Sequence, residues 1–154
     1  MRLTKSLGPW VMLVILGLLG SAAQAEGVLR RLVYANSSWQ GAYMNTTAQT
    51  QRVRIHADGA WSYQRGGVCS RAGVPWNEDL KEEAQFFLAP ECAPYSLIGL
   101  LSLPGEEPST MCLGGDDAIM LPPEGSVSFS INDTVTGFNN NSGAIRMELL
   151  IMER

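Results

Sequence analysis

Apolar and polar residues alternate with a period of two over much of the C-terminal part of the chain. Val127, Phe129 and Ile131 alternate with Ser126, Ser128 and Ser130; Ile145, Met147, Leu149 and Ile151 alternate with Arg146 and Glu148. Such alternation predicts strands with one buried and one wet face. Residues 51–56 repeat the pattern, with Val53 and Ile55 on one side and Arg52, Arg54 and His56 on the other. Residues 95–103 are apolar almost throughout, which predicts a strand buried on both faces. Shorter strands are expected at 27–35, 61–63, 111–113 and 118–121. Gly, Pro, Asn and Asp punctuate these runs at 36–41, 58–59, 105–110 and 122–125, where turns are expected. Segment 66–90 is irregular, with one short helix expected within 77–88: Asn77 can cap it, Glu78 and Asp79 suit its first turn, and Leu80, Ala84 and Phe87 fall near one face. About eight short strands at close spacing predict an all-β domain, a β-sandwich or jelly roll.

The N-terminus departs from this pattern. Arg2 and Lys5 precede an apolar run from Trp10 to Leu19, and small residues follow at Ala23 and Ala25. This is the layout of a secretory signal peptide, cleaved after Ala25. The apolar run is short for a membrane span, which needs about 20 residues. Residues 1–25 are therefore expected to be a signal and 26–154 a single domain, periplasmic or secreted, with no membrane span after cleavage. The net charge is −4, with no basic run. Nucleic acid is a poor partner for such a chain. Export would favour a disulfide among the three cysteines, Cys69, Cys92 and Cys112. Spacing does not fix the pair. Cys69 and Cys92 flank the irregular segment and are the preferred couple, whereas Cys112, between Met111 and Leu113, reads as a buried free thiol. With no CxxC motif and a single histidine, His56, zinc is not expected.

The chemistry concentrates in residues 130–143. An alternating strand ends in Asn132-Asp133, and a short loop then supplies Asn139, Asn140 and Asn141 before Ser142-Gly143 starts the return. One carboxylate, several amide oxygens and loop carbonyls are hard oxygen donors of the kind Ca²⁺ takes, six to eight at a time. Asn, Asp and Gly are also ordinary turn residues, so the loop alone does not decide between a site and a turn.

Further motifs come in a telling order. Leu97-Ile98-Gly99-Leu100-Leu101 is followed by Met111-Cys112-Leu113-Gly114, by Gly125-Ser-Val-Ser-Phe-Ser-Ile-Asn132-Asp133, and by Asn140-Asn141-Ser142-Gly143; Trp61-Ser62-Tyr63 lies upstream. Over roughly the last sixty residues this resembles the calcium-dependent PA-I galactophilic lectin (LecA-like) family. The resemblance implies a β-sandwich of the galactose-binding-like type. It also implies a Ca²⁺ site in which Asp133, Asn140 and Asn141 supply side chains and Tyr63 and Gly137 supply carbonyls. The prototype has a different residue at the position of Gly137, but a carbonyl ligand does not depend on its side chain. The prototype's His-Pro-x-x-Gln sugar-reading segment is missing. In its region stand Pro75-Trp76-Asn77-Glu78-Asp79. Trp76 could stack on a sugar face, with Asn77, Asp79 and Asn140 bonding hydroxyls; alternatively Trp76 plugs the core at a helix start.

Two functions are carried forward. The first is a calcium-dependent carbohydrate-binding domain, the sugar a galactoside. The alternative is a calcium-stabilised cell-envelope module that has lost sugar binding and serves a structural or protein-interaction role. An enzyme is not expected. A glycosidase needs two facing carboxylates, but Glu78, Asp79, Glu82 and Glu83 read as a solvated helix face. His56 has no Gly-x-Ser-x-Gly elbow to serve.

Overall fold

The computed structural model describes residues 27–63, 67–114 and 116–153; the expected signal segment, 1–25, lies outside them. In chain order the strands are β1 (Gly27–Tyr34), β2 (Gln40–Met44), β3 (Gln51–Tyr63), β4 (Gly67–Ser70), β5 (Leu97–Ser102), β6 (Ser109–Cys112), β7 (Asp117–Leu121), β8 (Ser126–Ile131) and β9 (Ser142–Glu153). One helix, α1 (Glu78–Glu83), runs into a 3-10 turn at Ala84–Phe86, and a second 3-10 turn spans Gly137–Asn140. All strand pairs are antiparallel. One sheet has the order β1-β9-β3, with the far edge of β3 shared by β7 and β4; the other runs β2-β8-β5-β6. The molecule is an all-β sandwich, as the alternation predicts.

β3 organises the first sheet. Residues 51–62 pair with β9 on one side; on the other side residues 51–55 pair with β7 and residues 60–63 with β4. The turn expected at Asp58-Gly59 is not there, because cross-strand pairing on both edges overrides the local turn preference. Gly59 adopts φ 120° in mid-strand, bending β3 without ending it. Strand β2 and β4 were not expected, since neither carries a clean alternating pattern. Inside the sandwich, Val53, Ile55, Trp61, Ile145, Met147 and Leu149 of the first sheet meet Leu97, Val127, Phe129 and Ile131 of the second. This burial is the main driving force for closing the sheets.

The outer face of the second sheet is partly covered as well. Ile98 packs with Ala89, Cys92, Leu88 and Trp39, so Leu97 and Ile98 are both buried, as expected of a doubly covered strand. Ser130, paired with Ile98 in register, is fully buried rather than wet, and its hydroxyl donates to Ile131 O (2.9 Å).

The covering segment is held by one side chain. Asn132 is fully buried. Its amide nitrogen donates to the carbonyls of Ala89 (2.9 Å), Cys92 (3.2 Å) and Ala93 (3.1 Å), and its Oδ1 accepts the N–H of Ala89 (3.0 Å). A covalent tie reinforces it: Cys92 is disulfide-bonded to Cys112. The expected Cys69–Cys92 pair does not form. Cys92 sits in the covering loop next to Cys112 at the end of β6, whereas Cys69 is the buried free thiol, inward-facing on β4 opposite Trp61. Helix α1 is shorter than the segment 77–88 suggests, because Phe87 leaves the helix to bridge with Thr134.

Replacing Asn132 by Ala leaves Cys92 O without its donor and the Ala89 N–H without its acceptor in a buried place, while Ala89 O keeps the Cys92 N–H (3.0 Å) and Ala93 O keeps the Ser96 N–H (3.2 Å) and hydroxyl (2.7 Å). The variant is expected to lose about 3 kcal/mol of unfolding free energy in a denaturant titration, each orphaned group costing roughly 1–3 kcal/mol before relaxation.

Candidate functional site

Asp133 follows Asn132 at the end of β8, so the network that fixes one fixes the other. Its carbonyl accepts the N–H of Leu88 (3.1 Å). Its carboxylate is turned inward, and the residue is only 4% exposed. Oδ1 accepts the N–H of Thr134 (2.6 Å), and Oδ2 accepts the side-chain amide of Asn141 (2.7 Å). Both partners are neutral. Burial pushes the Asp133 pKa above its usual range; the hydrogen bonds from Asn141 and Thr134 offset this in part, and the nearby Glu83 carboxylate adds to it.

Asn141 is buried beside it. Its nitrogen also donates to Ala35 O (3.1 Å), while its Oδ1 is buried with no donor among the described residues. Gly137 presses against the carboxylate so closely that a Cβ there would overlap Asp133 Oδ1. Tyr63 ends β3. The register that pairs Ser62 with Ser142 brings it next to Asn141. Its ring is held in place, stacked on Tyr95 with centroids 4.0 Å apart and an interplanar angle of 14°. Asn140 is exposed and opens onto a pocket of about 570 Å³ shared with Thr134, Thr136 and Gly137. Asp133, Gly137 and Asn141 are thus in contact, with Tyr63 at the adjoining strand end and Asn140 on the solvent side.

The residues considered for sugar contact divide differently. Trp76 is half-buried, its ring edge-on to Phe87 with centroids 5.4 Å apart. Asn77 Oδ1 caps α1 by accepting the N–H of Leu80 (2.9 Å). Asp79 is exposed in the first turn of α1. None of the three lines the pocket that Asn140 opens onto; Glu83, Phe86 and Val135 do. Phe86 and Val135 are 60% and 75% exposed. Adjacent phenylalanines at 86 and 87 are the available signal, because neighbouring side chains point in different directions in a helical turn or a strand and cannot both enter one core.

Around this site lies a second buried group. The Cys69 thiol donates weakly to Tyr95 O (3.5 Å), the carbonyl that also accepts the Trp61 indole N–H (2.9 Å). Burial pushes its pKa up to about 11, with the Asp133 charge adding to the rise.

Among the described residues no three His, Cys, Asp or Glu side chains gather to hold a metal. The calcium set implied by the resemblance has one carboxylate, so it does not depend on such a cluster. Its residues fit a hard cation on two counts: a buried carboxylate with only neutral partners, against Gly137, and a buried amide oxygen with no donor on Asn141, whose nitrogen bonds that carboxylate.

No protein-family model matches the chain, and no curated protein matches it. Among solved structures it is similar to the EclA N-terminal domain, a PllA-like lectin, with a TM-score of 0.49 and 15% identity over 79% of this chain and 94% of that one. A likeness at that level carries no functional argument.

The raised Asp133 pKa has a pH consequence. In the folded protein without metal, Asp133 keeps its proton to higher pH than in the unfolded chain. Stability therefore falls as pH rises from the ordinary carboxylate pKa, about 3.9, through the raised folded value. Denaturant titrations in chelator are expected to show wild type losing ground to Asp133→Asn across that window; parallel pH profiles for the two would contradict this assignment. Gly137→Ala forces a methyl onto the carboxylate and is expected to destabilise the loop by about 1–3 kcal/mol.

Proposed function

We propose that the chain is a calcium-dependent carbohydrate-binding domain that acts in the periplasm or after secretion. The observation that carries this reading is the buried Asp133 carboxylate: it meets only neutral donors, beside the donorless Asn141 Oδ1, under a loop that opens onto a pocket of sugar size. A charge buried with no countercharge is costly, and a bound cation would remove that cost. Asp133, Asn140 and Asn141 would hold Ca²⁺ through side chains, and Tyr63 and Gly137 through carbonyls. When bound, the ion would tie the end of β3 to the β8–β9 loop and offer open coordination positions to sugar hydroxyls. One carboxylate suits a site of modest affinity, matched to extracellular rather than cytosolic calcium. The resemblance to the galactophilic lectins adds a galactoside as the first sugar to try.

A second reading is a calcium-stabilised envelope module that no longer binds sugar and engages another envelope protein. The missing His-Pro-x-x-Gln segment favours it, as does the packing of Trp76 on Phe87 in a place where it offers no free stacking face to the pocket.

Calcium is expected to raise the melting temperature, by the equivalent of about 2.7 kcal/mol at a hundredfold excess over Kd. Asp133→Ala should abolish the rise and magnesium should reproduce little of it. A wild-type melting curve that is the same in calcium and in chelator would remove calcium from the account. A glycan screen in calcium then separates the two readings.

A further inference from the structure

We infer that Phe86 and Glu83 set the sugar specificity of this pocket: Phe86 is the plate for the C–H face of a neutral pyranose, and Glu83 accepts its hydroxyls and excludes anionic sugars. The inference rests on the carbohydrate reading above and deepens it.

The backbone puts Phe86 there. Phe87 bridges antiparallel to Thr134, and Leu88 N–H donates to Asp133 O (3.1 Å), while Phe86 closes the 3-10 turn just before the bridge. Phe87 turns inward and is 4% exposed, its ring edge-on to Tyr95 with centroids 5.7 Å apart. Phe86, at the end of the turn, stays outside: it is 60% exposed and lines the pocket with Val135. Its ring stands in water with Val135 at the rim of a pocket whose other side chains are polar. A pyranose matches such a surface, because it carries an apolar C–H face and a rim of hydroxyls. Thr134, Thr136 and Asn140 provide donors and acceptors around that rim, in a pocket of about 570 Å³.

Glu83, the last residue of α1, lines the same pocket. As a carboxylate it only accepts hydrogen bonds, which suits vicinal hydroxyls. It is exposed, and no cationic side chain lines the pocket with it. A uronate or sialate carboxylate that entered beside Glu83 would meet its charge, whereas the Asp133 carboxylate would be offset by the calcium ion it holds.

The test is calorimetric titration of the full chain in calcium with neutral methyl hexopyranosides and the matching methyl hexuronates, alongside calcium-induced melting shifts. Wild type is expected to bind a neutral hexoside and to prefer it to its uronate. Phe86→Ala should weaken that binding about tenfold with the calcium shift intact, and Phe86→Tyr should restore it. Glu83→Gln should narrow the gap between neutral sugar and uronate. Wild-type affinity in Phe86→Ala with an unchanged ratio in Glu83→Gln would overturn the inference and leave calcium-dependent sugar binding standing. If wild type shows the calcium shift but binds no sugar, the carbohydrate reading falls and this inference falls with it.

Discussion

A buried carboxamide anchors the half of the molecule that matters most for the site. The segment that covers Ile98 pairs its carbonyls within its own turns, Cys92 N–H to Ala89 O and Ser96 N–H to Ala93 O, and those bonds alone do not tie it to β8. Asn132 takes three of those carbonyls and one N–H with a single side chain. Neither Asp nor Leu could do the same: Asp has no donor at neutral pH, and Leu has neither donor nor acceptor. Because Asp133 is the next residue, the position of its carboxylate follows from that anchoring.

Aromatic packing supplies the other half of the support. Tyr63, Tyr95, Phe87 and Trp76 contact one another in series, from the end of β3 to the start of α1. The Tyr63 ring also lies over Gly67, where any Cβ would collide with it. Stacked and edge-on rings resist sliding, so the strand end that adjoins Asn141 is held at a fixed distance from the loop carrying Asp133. The site is therefore rigid on its inner side, where Asp133 and Asn141 are buried, and open on its outer side, where Asn140, Glu83 and Phe86 meet solvent.

The sandwich was legible wherever alternation was long. Val127 to Ile131 and Ile145 to Ile151 each show a period of two over enough residues to exclude a helix, and both are strands with the expected inward faces. Reading failed where partners rather than local pattern decide. Asp58-Gly59 has turn chemistry, but pairing on both edges of β3 carries the strand through it. Ser130 looks solvated by alternation and is buried because a loop distant in sequence lies over it. The disulfide depends on where the covering loop meets β6, which spacing among three cysteines does not encode. At the site, the cluster of Asp133, Gly137 and Asn141 could be picked out from loop chemistry, whereas Phe86 could not, since only the Phe87–Thr134 bridge determines which of two neighbouring rings faces out.

The buried thiol of Cys69 bears on how such a chain survives oxidation. An odd number of cysteines in an oxidising compartment invites exchange, because any thiolate can attack the existing bridge or a neighbouring molecule. With a pKa of about 11, Cys69 holds at pH 7 only about one part in ten thousand as thiolate, the nucleophilic form. It is also shielded by the strands around it. Reshuffling is thus confined to the interval before β4 closes against β3, and once the sheets meet the native pairing is kinetically locked without any need for the third sulfur to be removed or capped.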